Sequence, residues 1–359
     1  MSAPNVPRED YAHAPATVRL GDLEVQRLGY GAMRLPGKEV WGEPDDPARA
    51  RTLLRRALEL GINFIDTAWF YGPHVANRLI FEALHPYPRE LVIATKLGGK
   101  RTPDKGWAAA ARPAELREGL EHDLRELHLE RIDVVHLRFM RASGVPLMES
   151  LDALLAMQAE GKIRHLALSC VNARELEAAL ARTPIVAVQN AYSVIGGGGP
   201  MAKITHSEVD DPEAVLDLCT ARAIAFLPFF PLAVGNIEKE RPALAAIAKT
   251  HNASASQIAL AWLLARSPVM LPIPGTSSIA HLEENWQARQ IALTRAEIGA
   301  IGENAGSLGA GSKLFCRQAP ILSLRLAASS LRCSTHYSAS PLLSPRAPAS
   351  LRSRRPSAK

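Results

Sequence analysis

Residues 46–68, DPARARTLLRRALELGINFIDTA, contain one complete step from helix to strand. Asp46 suits an N-cap and Pro47 a first turn, while Ala50, Leu53, Leu54, Ala57 and Leu58 recur on one helical face until Gly61 ends the run. Ile62 to Ala68 then reads as a short strand whose apolar run is too continuous for one face to meet solvent.

The same step repeats along the chain. Strands are expected at Leu28–Met33, Ile62–Ala68, Leu91–Lys96, Ile132–Leu137, Ile163–Ser169, Ile185–Asn190, Ile224–Phe229 and Val269–Ile273. Helices are expected over Pro113–Leu127, Leu147–Glu160, Asn172–Ala181 and Pro212–Ala223, with a last one ending near Gly302. Eight buried strands alternating with helices predict an α/β fold, a (β/α)8 TIM barrel, rather than an open doubly wound sheet. Val18–Leu20 and Leu23–Val25, turned at Gly21-Asp22, predict a hairpin that plugs the barrel floor. Residues 17–305 are read as the barrel domain and residues 1–16 as a flexible, Pro-rich lead-in. Residues 306–359 read as a disordered low-complexity tail rich in Ser, Arg and Pro.

The net charge of +6 lies in that tail, which holds nine Lys and Arg and no Asp or Glu, so the first 305 residues carry −3. A nucleic-acid partner is therefore not expected. Four scattered cysteines without CxxC spacing suit a reducing cytoplasm, and no apolar run of membrane-spanning length occurs. The eleven histidines include no His-x-His pair, so no metal is expected. Gly29-Tyr30-Gly31 lacks the rest of a GxGxxG turn, which argues against a Rossmann domain.

In such barrels the working residues stand at the C-terminal ends of the strands. Asp66, Lys96, His136, Ser169, Gln189, Asn190 and Phe229 all fall there. One polar residue at a strand end is more often a solvated group, but several converging on one rim point to chemistry. Asp66 and Lys96, on neighbouring strands, can pair and hold an ammonium near Tyr71 in the following loop. That charge would draw the phenol from about 10 toward neutrality.

Asp66-Thr67-Ala68-Trp69-Phe70-Tyr71-Gly72 resembles the Asp-Thr-Ala-x-x-Tyr-Gly signature of the aldo-keto reductases. Lys96, His136, the Gly161–His165 stretch, Val188-Gln189-Asn190 and Leu271–Ser278 extend the resemblance from about Val18 to Gly302. It implies an NADPH-dependent oxidoreductase that reduces a small carbonyl compound, with Tyr71 as proton donor, Lys96 and Asp66 tuning it, and His136 orienting the carbonyl. It implies that Ser169 and Gln189 hold the nicotinamide carboxamide, with Phe229 and Leu232 beside the ring. Gly275, Thr276, Ser277, His281 and Asn285 fall in the segment that binds the adenosine phosphate. Cys170 stands where many members have Asn, and His281 where many have Arg.

Trp69, Phe70 and Phe230 are expected to line an aromatic mouth suited to a planar aldehyde. His85-Pro86-Tyr87-Pro88 and Leu227–Leu232 resemble a bacterial branch that includes pyridoxal reductases, which implies pyridoxal as a candidate substrate. A monomer is expected. The alternative is an NADPH-binding, redox-sensing regulatory subunit with an intact tetrad, which turnover of simple aldehydes would distinguish.

Overall fold

The computed structural model describes residues 15–196, 209–232, 237 and 242–302. The expected tail and most of the lead-in lie outside the described residues. The chain starts with the antiparallel hairpin β1 (Thr17–Leu20) and β2 (Leu23–Gln26), with Val18 opposite Val25. Gly21 takes φ +65° at the turn, a conformation that favours glycine. Asp22 accepts from Arg164 Nη2 and His165 Nε2, both at 2.5 Å, which ties the turn to the start of a barrel strand.

Seven parallel strands follow in spatial sequence: β3 (Tyr30–Gly31), β4 (Phe64–Asp66), β5 (Val92–Arg101), β7 (Ile132–Arg138), β8 (Ile163–Ser169), β9 (Ala187–Ala191) and β10 (Ala225–Phe229). The eighth expected strand forms only an isolated bridge, Phe226 with Met270. Its backbone still closes the ring. Leu271 N donates to Phe226 O at 2.8 Å on one side, and Gly29 N donates to Pro272 O at 2.9 Å on the other. Pro272 and Pro274 carry no N–H, so no continuous ladder can form along this segment.

The helices are α1 (Pro47–Glu59), α2 (Val75–Leu84), α3 (Pro113–Leu127), α4 (Leu147–Ala159), α5 (Ala173–Leu180), α6 (Pro212–Arg222), α7 (Pro242–Thr250), α8 (Ala255–Arg266), α9 (Ile279–Gln287) and α10 (Arg295–Gly302). Asp46 accepts from Arg49 N at 2.9 Å, and Asn172 and Glu175 cap α5 reciprocally. α2 was not expected: His74 precedes it at φ +67° and makes no side-chain cap. Nor was β6 (Trp107–Ala110), which pairs antiparallel with Gly98–Arg101 and carries β5 past the barrel rim.

Two apolar clusters separate the sheet's faces. The inner one joins Val18, Leu20 and Val25 of the hairpin to Phe64, Val92, Ala94, Val134, Ala167, Ala187, Ala225, Leu227, Leu271 and Ile273, so the hairpin does plug the barrel. The outer one fills the space under the helices. Closure brings Gly31 so near the last segment that a Cβ there would stand 2.6 Å from Ile273 O. A backbone carbonyl cannot swing aside, so Gly31→Ala should lower stability by about 1–3 kcal/mol. A melting temperature equal to that of the parent would contradict this account of closure.

Candidate active site

The inner cluster sets the direction of the polar residues above it. Side chains alternate along a strand, so each residue two positions on from an inner apolar one faces the barrel axis again. Phe64 leads to Asp66, Ala94 to Lys96, Val134 to His136, Ala167 to Ser169, Ala187 to Gln189 and Leu227 to Phe229. Lys96 stands level with His136, and Ser169 with Gln189, in the strand registers. The expected rim residues therefore come together.

Lys96 Nζ donates to Asp66 Oδ2 at 2.5 Å and to Thr67 O at 3.0 Å. Gln189 Nε2 donates to the other oxygen, Asp66 Oδ1, at 2.8 Å. All three side chains are buried. Burial alone would lower the Lys96 pKa, but Asp66 and then the Tyr71 oxygen override it and raise the value. Lys96 Nζ lies 4.9 Å from the centre of the Tyr71 ring.

Tyr71 is itself buried, in the loop between β4 and α2, and its phenol titrates above its ordinary range. Desolvation is the largest cause, and the nearby Lys96 ammonium opposes it without cancelling it. The expected drift toward neutrality is thus corrected: the cation limits a rise that burial imposes. At neutral pH the group holds its proton.

Burial lowers the His136 pKa to about 4, with Asp66 opposing and Lys96 adding to the shift. Its imidazole is therefore neutral at physiological pH. Neither ring nitrogen meets a hydrogen-bond partner of good geometry among the described residues.

A second polar layer stands behind the first. Asp123 of α3 accepts from Thr95 Oγ1 and Asn77 Nδ2, each at 2.7 Å, and Thr67 Oγ1 donates to Asn77 Oδ1 at 2.8 Å. Thr67 is the residue whose carbonyl receives Lys96, so the network reaches the ion pair. Burial raises the Asp123 carboxyl to about 7 despite these donors. This layer was not expected, because one Asp among the charged residues of α3 carries no sign of burial.

The aromatic residues divide. Phe70 is fully buried and meets Tyr71 edge-on at 5.3 Å. Phe229 and Phe230 are half-buried and meet edge-on at 5.1 Å, with Phe230 at φ +54°, and Leu232 packs on the outer core. Trp69, expected at the mouth, is seated elsewhere. Its indole stacks on His122 at 5.3 Å and lies against Gly119, both on α3, because the loop turns it toward the helices.

The segment expected to bind the adenosine phosphate lies at the ring closure. Gly275 and Ser277 are exposed, Thr276 is buried, and Tyr30 donates to Thr276 O at 2.8 Å. Thr276 Oγ1 accepts from Ser278 N at 3.0 Å, and Ser278 caps α9 by accepting from His281 N at 3.4 Å. His281 is exposed and Asn285 buried one turn later. The stem of Arg34 lies 3.4 Å from where a Gly275 Cβ would stand. Cys170 is buried at φ +62°, with its N–H on Gln189 O at 3.1 Å.

Against known proteins, residues 27–305 match the Aldo/keto reductase family. The chain belongs to that family. It is 44% identical over 283 residues to pyridoxine 4-dehydrogenase of Escherichia coli K12, covering 77% of this chain and 94% of that one. An uncharacterized oxidoreductase of Schizosaccharomyces pombe is 40% identical over 296 residues, covering 82% and 92%. Among solved structures, a thermostable aldo-keto reductase in complex with the inhibitor epalrestat superposes with a TM-score of 0.67 at 29% identity, covering 80% and 99%. Among the described residues no helix is long and apolar enough to cross a membrane, and no cluster of three metal-ligating side chains occurs.

If the layer behind the ion pair holds it in place, Asp123→Leu should strand the buried Asn77 amide and Thr95 hydroxyl. Stability should then fall by about 2–5 kcal/mol. Chemical denaturation measures this; a loss below about 1 kcal/mol would mean that the network is slack.

Proposed function

We propose that this aldo-keto reductase reduces aldehydes or ketones to alcohols with NADPH, and that Tyr71 donates the proton. The observation that carries the reading is the buried Lys96–Asp66 pair set against the Tyr71 ring. As hydride reaches the carbonyl carbon, Tyr71 Oη passes its proton to the carbonyl oxygen, and the Lys96 ammonium stabilises the phenolate left behind. Asp66 keeps that ammonium in position. His136, neutral and facing the same space, directs the carbonyl oxygen by a hydrogen bond without adding a charge.

The residues present fit the dinucleotide. Gly31 and Gly275 approach so closely that a Cβ on Gly275 would stand 2.7 Å from Gly31 O, which leaves a bare backbone floor between β3 and α9. Ser277 and Thr276 precede the capped N-terminus of α9, where an anion is favoured, and Arg34 beside Gly275 supplies a cation in place of the one that His281 replaces. Ser169, Gln189 and Asn285 hold the polar ends of the molecule, while Phe229, with Leu232 nearby, faces the ring. When bound, NADPH supplies the hydride. The similarity to pyridoxine 4-dehydrogenase supports pyridoxal as a substrate. We read the barrel, residues 17–305, as the working unit, a cytoplasmic monomer that needs neither nucleic acid nor the basic tail.

Tyr71→Phe should lower turnover of a simple aldehyde by about 10²-fold or more with NADPH affinity nearly unchanged. Lys96→Met should follow it. Near-normal turnover in Tyr71→Phe would remove the proton-donor assignment, and a wild-type chain that binds NADPH but turns over no aldehyde would remove the reductase reading.

Fluorescence titration should show NADPH binding about tenfold or more tightly than NADH, as one charge-assisted contact to the 2′-phosphate provides. Equal affinities would exclude Thr276, Ser277 and Arg34 from that contact.

A further inference from the structure

Asp123 is fully buried on α3, behind the barrel wall, and the proton transfer above makes no use of it. Its carboxyl gathers donors from three places. Thr95 Oγ1 reaches it at 2.7 Å from β5, and Thr95 precedes Lys96, so the two side chains leave opposite faces of one strand. Asn77 Nδ2 reaches it at 2.7 Å from the first turn of α2, next to Ala76, whose N–H holds the Tyr71 carbonyl at 3.1 Å. The Trp69 N–H reaches it from the loop itself, two residues before Tyr71. Thr67 completes the link: its hydroxyl donates to Asn77 and its carbonyl accepts from Lys96.

The protonation state of this carboxyl decides whether all these donors can be met. A carboxylate accepts from every one of them with its two oxygens. A neutral acid turns one oxygen into a donor, which must displace a bond already made. Burial raises the group to about 7 while Thr95 and Asn77 hold it down, so both forms occur near neutrality. Lys96 from β5 favours the carboxylate. The other titratable groups around it are His122 on α3 itself and His74 from the loop, whose rings lie 4.7 Å apart, while α2 presents the neutral Asn77.

We propose that the Asp123 carboxylate is a positioning residue for the reduction: by holding Thr95, Asn77 and Trp69 together it sets the loop of Tyr71 against the strand of Lys96, and its protonation loosens that setting and slows the transfer. The inference rests on the reductase reading and adds to it a residue that touches neither substrate nor cofactor.

The test is the single-turnover rate of NADPH oxidation with benzaldehyde between about pH 5.5 and 8.5, which isolates the chemical step from product release. His136 titrates below this window and Tyr71 above it. The parent's rate should fall about threefold or more toward acid, along a one-proton limb centred at about pH 7. Asp123→Asn keeps the shape but cannot ionise, so it should stay near the parent's acid plateau throughout, with NADPH affinity unchanged. Thr95→Val removes one donor with little change of shape and should move the limb up by about one pH unit, the worth of one hydrogen bond to a charged group. His74→Gln and His122→Gln should leave the limb where it is.

A merely structural Asp123 would lower the melting temperature of the asparagine variant and leave the limb in place. A limb that persists in Asp123→Asn, or that vanishes in either histidine variant, therefore overturns the proposal, as does a parent whose rate is flat across the window. Each of these outcomes leaves the reductase reading intact. If Asp123→Asn does not fold, Thr95→Val decides, and an unmoved limb overturns the proposal. A parent that turns over no simple aldehyde overturns both.

Discussion

The contact between Lys96 and Asp66 is the constraint around which the rest of the barrel is arranged. Both side chains are 4% exposed, and an isolated charge at that depth costs several kcal/mol. Each is tolerable because the other is present, and because their remaining valences are met by Thr67 O and Gln189 Nε2. Residues from β4, β5 and β9 are thereby joined at one point. A slip of one residue in either of the first two strands would turn its charge outward into the apolar layer under the helices, so strand register and charge pairing enforce each other.

Two opposing effects meet at Tyr71. Water exclusion favours the neutral phenol, and the cations favour the phenolate. Water exclusion prevails in the resting site, so the phenol keeps its proton. In the proposed proton transfer the charge is stabilised only as it forms, which is the asymmetry a transition state requires. A neutral His136 suits this balance, since a further positive charge would tilt the phenol toward early ionisation.

Much of this was legible in the sequence because it depends on local rules. Asp46-Pro47 and Asn172-x-x-Glu175 are caps whose side chains reach their own helix, and α3 spans the expected Pro113–Leu127. The convergence of Asp66, Lys96, His136, Ser169 and Gln189 followed from their places at strand ends. The closing segment was less legible as a strand because its prolines remove the ladder donors, and α2 because it opens without a cap. Asp123 and Arg138 look in the sequence like ordinary charges on a helix and a strand. Their burial depends on distant residues that stand beside them, the Asn77–Thr95 pair in one case and the Trp107 ring in the other. Trp69 was misjudged for the same reason: adjacency to Tyr71 along the chain does not settle which way a loop turns a ring.

β5 runs beyond the barrel to meet β6, and there Arg101 is held by four backbone carbonyls, those of Glu39, Val40, Lys105 and Gly106. Its guanidinium also lies between Trp41 and Trp107, at 5.5 and 4.4 Å from their ring centres. One side chain thus rivets two otherwise separate loops into a single wall beside the rim. A wall fastened before any ligand arrives loses little freedom on contact, so on this side the barrel discriminates by shape already in place rather than by a flap that folds down over its guest.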